Sequence, residues 1–228
     1  MVEAGARVSG AAPSGRQGTG GDGAGRGARD EILARVRFAL RDVPAHEDAL
    51  APAYQPPPAW PGDPVALFVE RVSDYRATVR EAGDVAAIAA EVCVEHGARR
   101  IAIPSDLPDR WRPTGLDLIA DDGLCARDLD ALDGALTGCA LAIAETGTIV
   151  LDGAARSGRR ALTLVPDLHL CVVERAQVLA TVPDAIRAPD GLRGPFTLVS
   201  GPSATSDIEL DRVEGVHGPR RLEVLLTE

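Results

Sequence analysis

Residues 139–169 read Cys139-Ala-Leu-Ala-Ile-Ala-Glu-Thr-Gly-Thr-Ile-Val-Leu-Asp-Gly-Ala-Ala-Arg-Ser-Gly-Arg-Arg-Ala-Leu-Thr-Leu-Val-Pro-Asp-Leu-His169. The apolar run 139–144 follows a glycine and ends in Glu145, Thr146, Gly147 and Thr148, which supply a charge, two hydroxyls and a permissive backbone. A short apolar run with such boundaries reads as a buried strand that delivers polar groups into a loop. Two more apolar runs follow at 148–151 and 161–165, the second ending in Pro166, Asp167 and His169. On this reading the polar residues gather where strands stop.

Working outward, the same grammar of short strands and helices recurs. The spacing predicts a helix over about 64–82, with Val65, Phe68, Val72, Tyr75 and Val79 on one stripe, and another from Asp84 to Gly97. Strands are expected at 101–104, 116–119, 139–144, 148–151, 161–165, 169–173, 196–200 and 222–226, with helices at 127–132 and 175–182. Strands interleaved with helices argue for an α/β fold with a mostly parallel sheet, and the close succession over 139–173 argues for an antiparallel hairpin inserted in it.

Toward the amino terminus the pattern changes. Residues 1–27 hold nine Gly and almost no large apolar side chain, a composition that cannot offset the entropy of ordering, so a disordered tail is expected. Ile32, Leu33, Val36, Leu40 and Val43 then recur at helical spacing until Pro44, and six Pro between 51 and 64 make a stiff connector. The expected organisation is a tail over 1–27, a helix and Pro-rich connector over 28–62, and one α/β domain over 63–228. The helix reads either as a docking arm or as a strap on its own domain, and the strap is the preferred expectation.

Composition narrows the function classes. The 228 residues are 45% hydrophobic and only 3% aromatic, enough for one core built from Ala, Val, Leu and Ile. A net charge of −10 disfavours nucleic acid and anionic membranes as partners. The chain has neither Lys nor Asn, which excludes Schiff-base and P-loop lysine chemistry. Cys93, Cys125, Cys139 and Cys171 show no metal-ligand spacing and read as free thiols, so neither a metal site nor a cofactor is expected in this chain. The lack of an apolar leader or spanning run gives a cytoplasmic expectation.

The segments Ala144-Glu-Thr-Gly-Thr-Ile-Val-Leu151, Leu162-Thr-Leu-Val-Pro-Asp-Leu-His169, Ser200-Gly-Pro-Ser-Ala-Thr-Ser-Asp-Ile-Glu-Leu210 and Gly215-Val-His-Gly-Pro-Arg220 carry a resemblance. In that order and spacing they resemble the lactate-utilisation protein C family of LUD-domain proteins, over roughly residues 60–228. The resemblance implies a Rossmann-like α/β domain similar to the ribose-5-phosphate isomerase A and CoA-transferase-like fold. It also implies work in L-lactate utilisation beside iron–sulfur partner subunits that carry the redox centres, and a homo-oligomer is an open possibility.

The candidate site follows from the rule that open α/β sheets bind ligands outside strand carboxyl ends. Ser105 and Asp106, Glu145 to Thr148, Asp167 and His169, and Ser200 to Asp207 are expected at such ends and could share one cleft for a small anion. The expected ligand-contacting residues are Glu145, Thr146, Gly147, Thr148, His169, Gly201, Ser203, Thr205, Asp207 and His217. Glycines allow close backbone approach, hydroxyls donate hydrogen bonds, and Arg159, Arg160 or Arg220 could outweigh the general negative charge. Glu145 could be a general base, a nucleophile or a structural acceptor, and Glu-Thr-Gly resembles the Glu-Asn-Gly of CoA-transferases, whose Glu is the nucleophile. Asp167 and His169 could relay a proton or sit in a turn, while His46 and His96 read as solvated. Two functions remain open: a cluster-free subunit of a lactate-oxidising system that binds a small anion, or a free-standing isomerase or acyl-transferase acting on an anionic metabolite.

Overall fold

The computed structural model describes residues 22–43, 60–154, 156–188, 195–202 and 218–228. Helix α1 (Asp22–Leu40) belongs to a unit separate from residues 55–228. It begins eight positions ahead of Asp30, where the apolar spacing starts.

The α/β unit is built on a six-stranded sheet in the order β1-β10-β7-β4-β2-β3, with every neighbouring pair parallel. Its strands are β1 (Thr78–Glu81), β2 (Arg100–Ile103), β3 (Asp117–Ala120), β4 (Gly134–Gly138), β7 (Leu168–Glu174) and β10 (Arg221–Thr227). Near-continuous apolar runs such as Leu168-His-Leu-Cys-Val-Val173 are what a strand covered on both faces requires. Leu168, Leu170 and Val172 pack with Val85, Ala89 and Val92 of helix α3 (Val85–Glu95). The alternate residues Cys171 and Val173 pack with Phe68 and Val72 of helix α2 (Pro64–Asp74) and with the second sheet. Each Leu or Val fully buried this way contributes about 1.5–3 kcal/mol.

That second sheet has four strands in the order β8 (Val178–Leu179), β5 (Leu141–Ile143), β6 (Thr148–Leu151) and β9 (Thr197–Val199). The expected antiparallel hairpin is present as β5–β6, but it belongs to this separate sheet and not to the parallel one. Short helices α4 (Ala126–Asp130) and α5 (Val182–Arg187) complete the unit.

Several elements differ from the sequence reading. The helix expected over 64–82 stops at Asp74, and residues 78–81 form β1. The break is made by Arg76 at φ 63°, a left-handed position usually marked by Gly, so the sequence carried no stop signal. Residues 161–165 are not a strand. They form consecutive turns in which Leu162 N bonds Arg159 O and Val165 N bonds Ala161 O, while the buried Leu162 packs on Ala102, Leu129 and Ala135. The run 139–144 is a strand only at Leu141–Ile143, because the chain has just left β4, which the sequence reading missed. The helix expected over 175–182 is a 3-10 turn at Arg175–Gln177 followed by β8.

His96 is likewise not solvated. Its Nε2 lies 3.0 Å from Glu223 Oε1, and Arg80 Nε lies 3.0 Å from Glu223 Oε2. Glu223 is 3% exposed, so this ion cluster satisfies a carboxylate that would otherwise be buried alone. His46 lies outside the described residues.

Candidate functional site at the amino edge of the sheet

The turn between β5 and β6 sits flush on the last turns of α2. A Cβ on Gly147 would lie 2.7 Å from Arg71 C and from Val72 N, and its φ is +58°, so only glycine fits. Thr146 Oγ1 and Thr148 Oγ1 are 2.7 Å apart, and Thr148 Oγ1 is 2.7 Å from Ser200 Oγ at the end of β9. Gly201 repeats the packing device, since its φ is +86° and a Cβ there would lie 2.5 Å from Tyr75 O. Both loops therefore lean on the end of α2, where the chain turns into β1.

Glu145 is engaged in structure. Its Oε1 accepts a 2.7 Å hydrogen bond from Val182 N in the first turn of α5, and its own N–H donates to Ala180 O at 3.1 Å. Thr181 caps the same helix by accepting from Asp184 N. In this geometry Glu145 serves α5 as a backbone acceptor through one of its two carboxylate oxygens.

His169 is the second residue of β7, paired with Ala135, and is 2% exposed. Its Nε2 is 2.8 Å from Thr137 Oγ1. Burial, and then the Arg160 charge, push its pKa down from 6.5 to about 4, so at neutral pH it is an uncharged imidazole. Arg160 Nη1 donates to Thr163 Oγ1 at 3.0 Å, and Thr163 Oγ1 donates to Arg160 O at 3.3 Å. Because 161–165 is a set of turns, Asp167 and His169 open β7 and do not end a strand. The expectation that they stand at a carboxyl edge is corrected to the amino edge.

The loops nevertheless meet. A Cβ on Gly218 would lie 3.4 Å from Pro202 O and 4.0 Å from Leu164 Cδ1. Arg220 N and Arg221 N both donate to Asp167 O, at 2.9 and 3.2 Å, and Arg220 Nε lies 3.3 Å from Asp167 Oδ1. Tyr75 precedes β1, Asp167 precedes β7 and Arg220 precedes β10. The described ends of segments 144–151, 162–169, 200–202 and 218–220 thus form a continuous run of contacts at the amino edge. Ser203, Thr205, Asp207 and His217 lie outside the described residues.

Ser105 and Asp106 are elsewhere, at the carboxyl ends that the general rule favours. They line a crevice of about 300 Å³ with Pro104, Asp121, Gly158 and Arg159. There Arg159 grips Asp121 through two 2.7 Å bonds, and Asp106 accepts from the backbone Arg156 N at 3.1 Å. Sequence reasoning missed Thr137 and Thr163, although a hydroxyl inside an apolar run such as Gly134-Ala-Leu-Thr-Gly138 is itself a signal. Among the described residues, no three His, Cys, Asp or Glu side chains come together as metal ligands. No helix among them is long and apolar enough to cross a membrane.

Comparison with known proteins places this geometry in a family. The profile of the LUD domain matches residues 116–227. The chain is 41% identical over 203 residues to Lactate utilization protein C of Deinococcus radiodurans, covering 87% of this chain and 95% of that protein. It is 32% identical over 148 residues to Lactate utilization protein C of an Exiguobacterium strain, covering 58% and 62%. Among solved structures, a DUF162 family protein from Deinococcus radiodurans superposes with a TM-score of 0.62 at 38% identity, over 72% of this chain and 96% of that one. With an alignment that spans 95% of a curated relative at 41% identity, the chain belongs to the lactate utilization protein C family of LUD-domain proteins.

Proposed function

We propose that this chain is the cluster-free component of an L-lactate utilisation system, binding a small anion at the amino edge of its sheet beside iron–sulfur partner subunits. The names of its relatives support the lactate assignment. The observation that carries the ligand reading is the meeting of loops 145–148, 200–202 and 218–220 with the 160–169 turns, which brings hydroxyls and glycine backbone together. In a chain of net charge −10, such local donors are what an anion needs.

The thiols support leaving the redox centres to partners. Burial, and then the Asp133 charge, push Cys93 up to about 11, and contact with the Cys171 thiol together with burial pushes Cys139 up as well. Thiols held protonated in apolar packing are poor cluster ligands. The alternative of a free-standing isomerase or acyl-transferase asks Glu145 to act as base or nucleophile, and one oxygen of its carboxylate accepts from Val182 N of α5.

Deletion of the gene should abolish growth on L-lactate as sole carbon source while leaving growth on pyruvate intact, and the wild-type gene should restore it. Oxidation of L-lactate by the purified chain alone, with an artificial electron acceptor, would contradict the subunit reading.

A further inference from the structure

Residues 156–159 cross the carboxyl ends of four neighbouring strands and touch each of them. Glu174, the last residue of β7, pairs with Arg156 Nη1 at 3.3 Å. Gly138, the last residue of β4, donates its N–H to Arg156 O at 2.8 Å. Asp106, in the loop after β2, accepts from Arg156 N through both oxygens at 3.1 Å, and Asp121, just past β3, holds Arg159. A Cβ on Gly138 would lie 3.2 Å from Arg156 Cβ, so the segment lies flat on the strand end.

The covered place is the one where an open α/β sheet takes a ligand. Within the parallel sheet the chain passes from β2 outward to β3, returns to β4 on the other side of β2, and continues to β7 and β10, so the connections diverge between β2 and β4. The crevice of about 300 Å³ opens beside the segment, with Gly158 and Arg159 in its wall. Closure is opposed from inside the segment. Arg156 has φ 66°, a left-handed backbone that a residue with a Cβ rarely adopts, and the fully buried Ser157 hydroxyl has no hydrogen-bond partner among the described residues. Both costs vanish when the segment lifts into water, while the carboxylates hold it down. Local strain offset by polar contacts beside a crevice is how an element with two positions is built.

We infer that residues 156–159 are a lid over the divergence point of the parallel sheet, latched by Asp106 and Glu174 and sprung by Arg156 and Ser157. The lid lies at the edge opposite the small-anion site and is independent of that reading.

Hydrogen exchange of the full chain, read by mass spectrometry, tests it in wild type, S157A, D106A, E174Q and D122N, the last an exposed carboxylate at the same edge without a hydrogen bond or ion pair to the lid. In wild type, peptides spanning 156–159 should exchange ahead of those of β10. Exchange there should be about fivefold slower or more in S157A, which removes the unmet hydroxyl, and about fivefold faster or more in D106A and E174Q, with D122N and the β10 peptides unchanged. Asp106 is exposed, so D106A keeps the fold and the test stands even if E174Q unfolds. In a W60F background, acrylamide quenching of Trp111, which is 2% exposed and lies under the Arg156 guanidinium, should rise in D106A. Exchange at 156–159 no faster than in β10, or unchanged by S157A, or unchanged by both D106A and E174Q, overturns the lid. Faster exchange in D106A without added quenching of Trp111 overturns the covering of the strand ends.

Discussion

The hydroxyls of Thr148 and Ser200, 52 positions apart in the chain, lie 2.7 Å from each other and tie the start of β6 to the end of β9. Thr148 is 4% exposed and also meets Thr146, so it is the hub of a three-hydroxyl chain. Replacing it by Val strands both neighbours and should cost about 1–3 kcal/mol. Ser200→Ala should cost less, since Ser200 is only half-buried. The double variant should show a coupling of about 0.5–3 kcal/mol in denaturant unfolding. Strict additivity would mean that the two loops do not support each other.

The glycines give a graded test of how closely the loops pack. G147A and G201A meet backbone at 2.7 and 2.5 Å, whereas Gly153, at φ +68°, has open space around it. G153A therefore suffers only the left-handed backbone strain of about 1–2 kcal/mol. For a chain of this size each kcal/mol lowers Tm by about 2–4 °C. The two packed positions should fall well below G153A, and equal melting temperatures would refute the close approach to α2.

Glu145 separates scaffold from catalyst. Glu145→Ala removes the acceptor for Val182 N and should cost about 0.5–2 kcal/mol. Glu145→Gln keeps an acceptor oxygen, so it should hold stability near wild type and still support growth on L-lactate. A stable E145Q protein that fails to support growth would restore Glu145 as a reacting group.

His169 predicts a pH dependence of definite sign. Its folded pKa is pushed down from 6.5 to about 4, so its contribution is complete above pH 6.5, where both states are neutral. As pH falls below 6.5 the unfolded chain takes a proton that the folded chain refuses, and stability declines until about pH 4. The loss is of the order of 3 kcal/mol at most. Unfolding free energies from pH 7 to 4 should therefore fall less steeply for H169Q than for wild type. Parallel curves would mean that His169 takes up its proton in the fold as readily as in the unfolded chain.

Much of the architecture could be read from residue order, because apolar runs, the Asp84 cap and Gly97 are local signals that local physics obeys. The failures arose where a tertiary contact overrode the local pattern. Arg76 adopts a glycine-like turn, and Ala161-Leu-Thr-Leu-Val165 coils so that Leu162 can cover Ala102 and Ala135. That single misreading also moved Asp167 and His169 to the wrong edge of the sheet. Glu145, Gly147 and Gly201 could be picked out from composition, but their tasks depend on α5, Arg71 and Tyr75, which spacing along the chain does not bring together.

The central claim is that these loops form one small-anion site at the amino edge. It is tested most directly by titrating methyl-labelled protein with L-lactate and following Thr, Leu and Val resonances by NMR. The account predicts that Thr148, Thr163 and Leu164 shift together along one binding curve while Leu107, beside the carboxyl-edge crevice, stays still. Shifts confined to Leu107 and its neighbours, with Thr148, Thr163 and Leu164 unmoved, would contradict it.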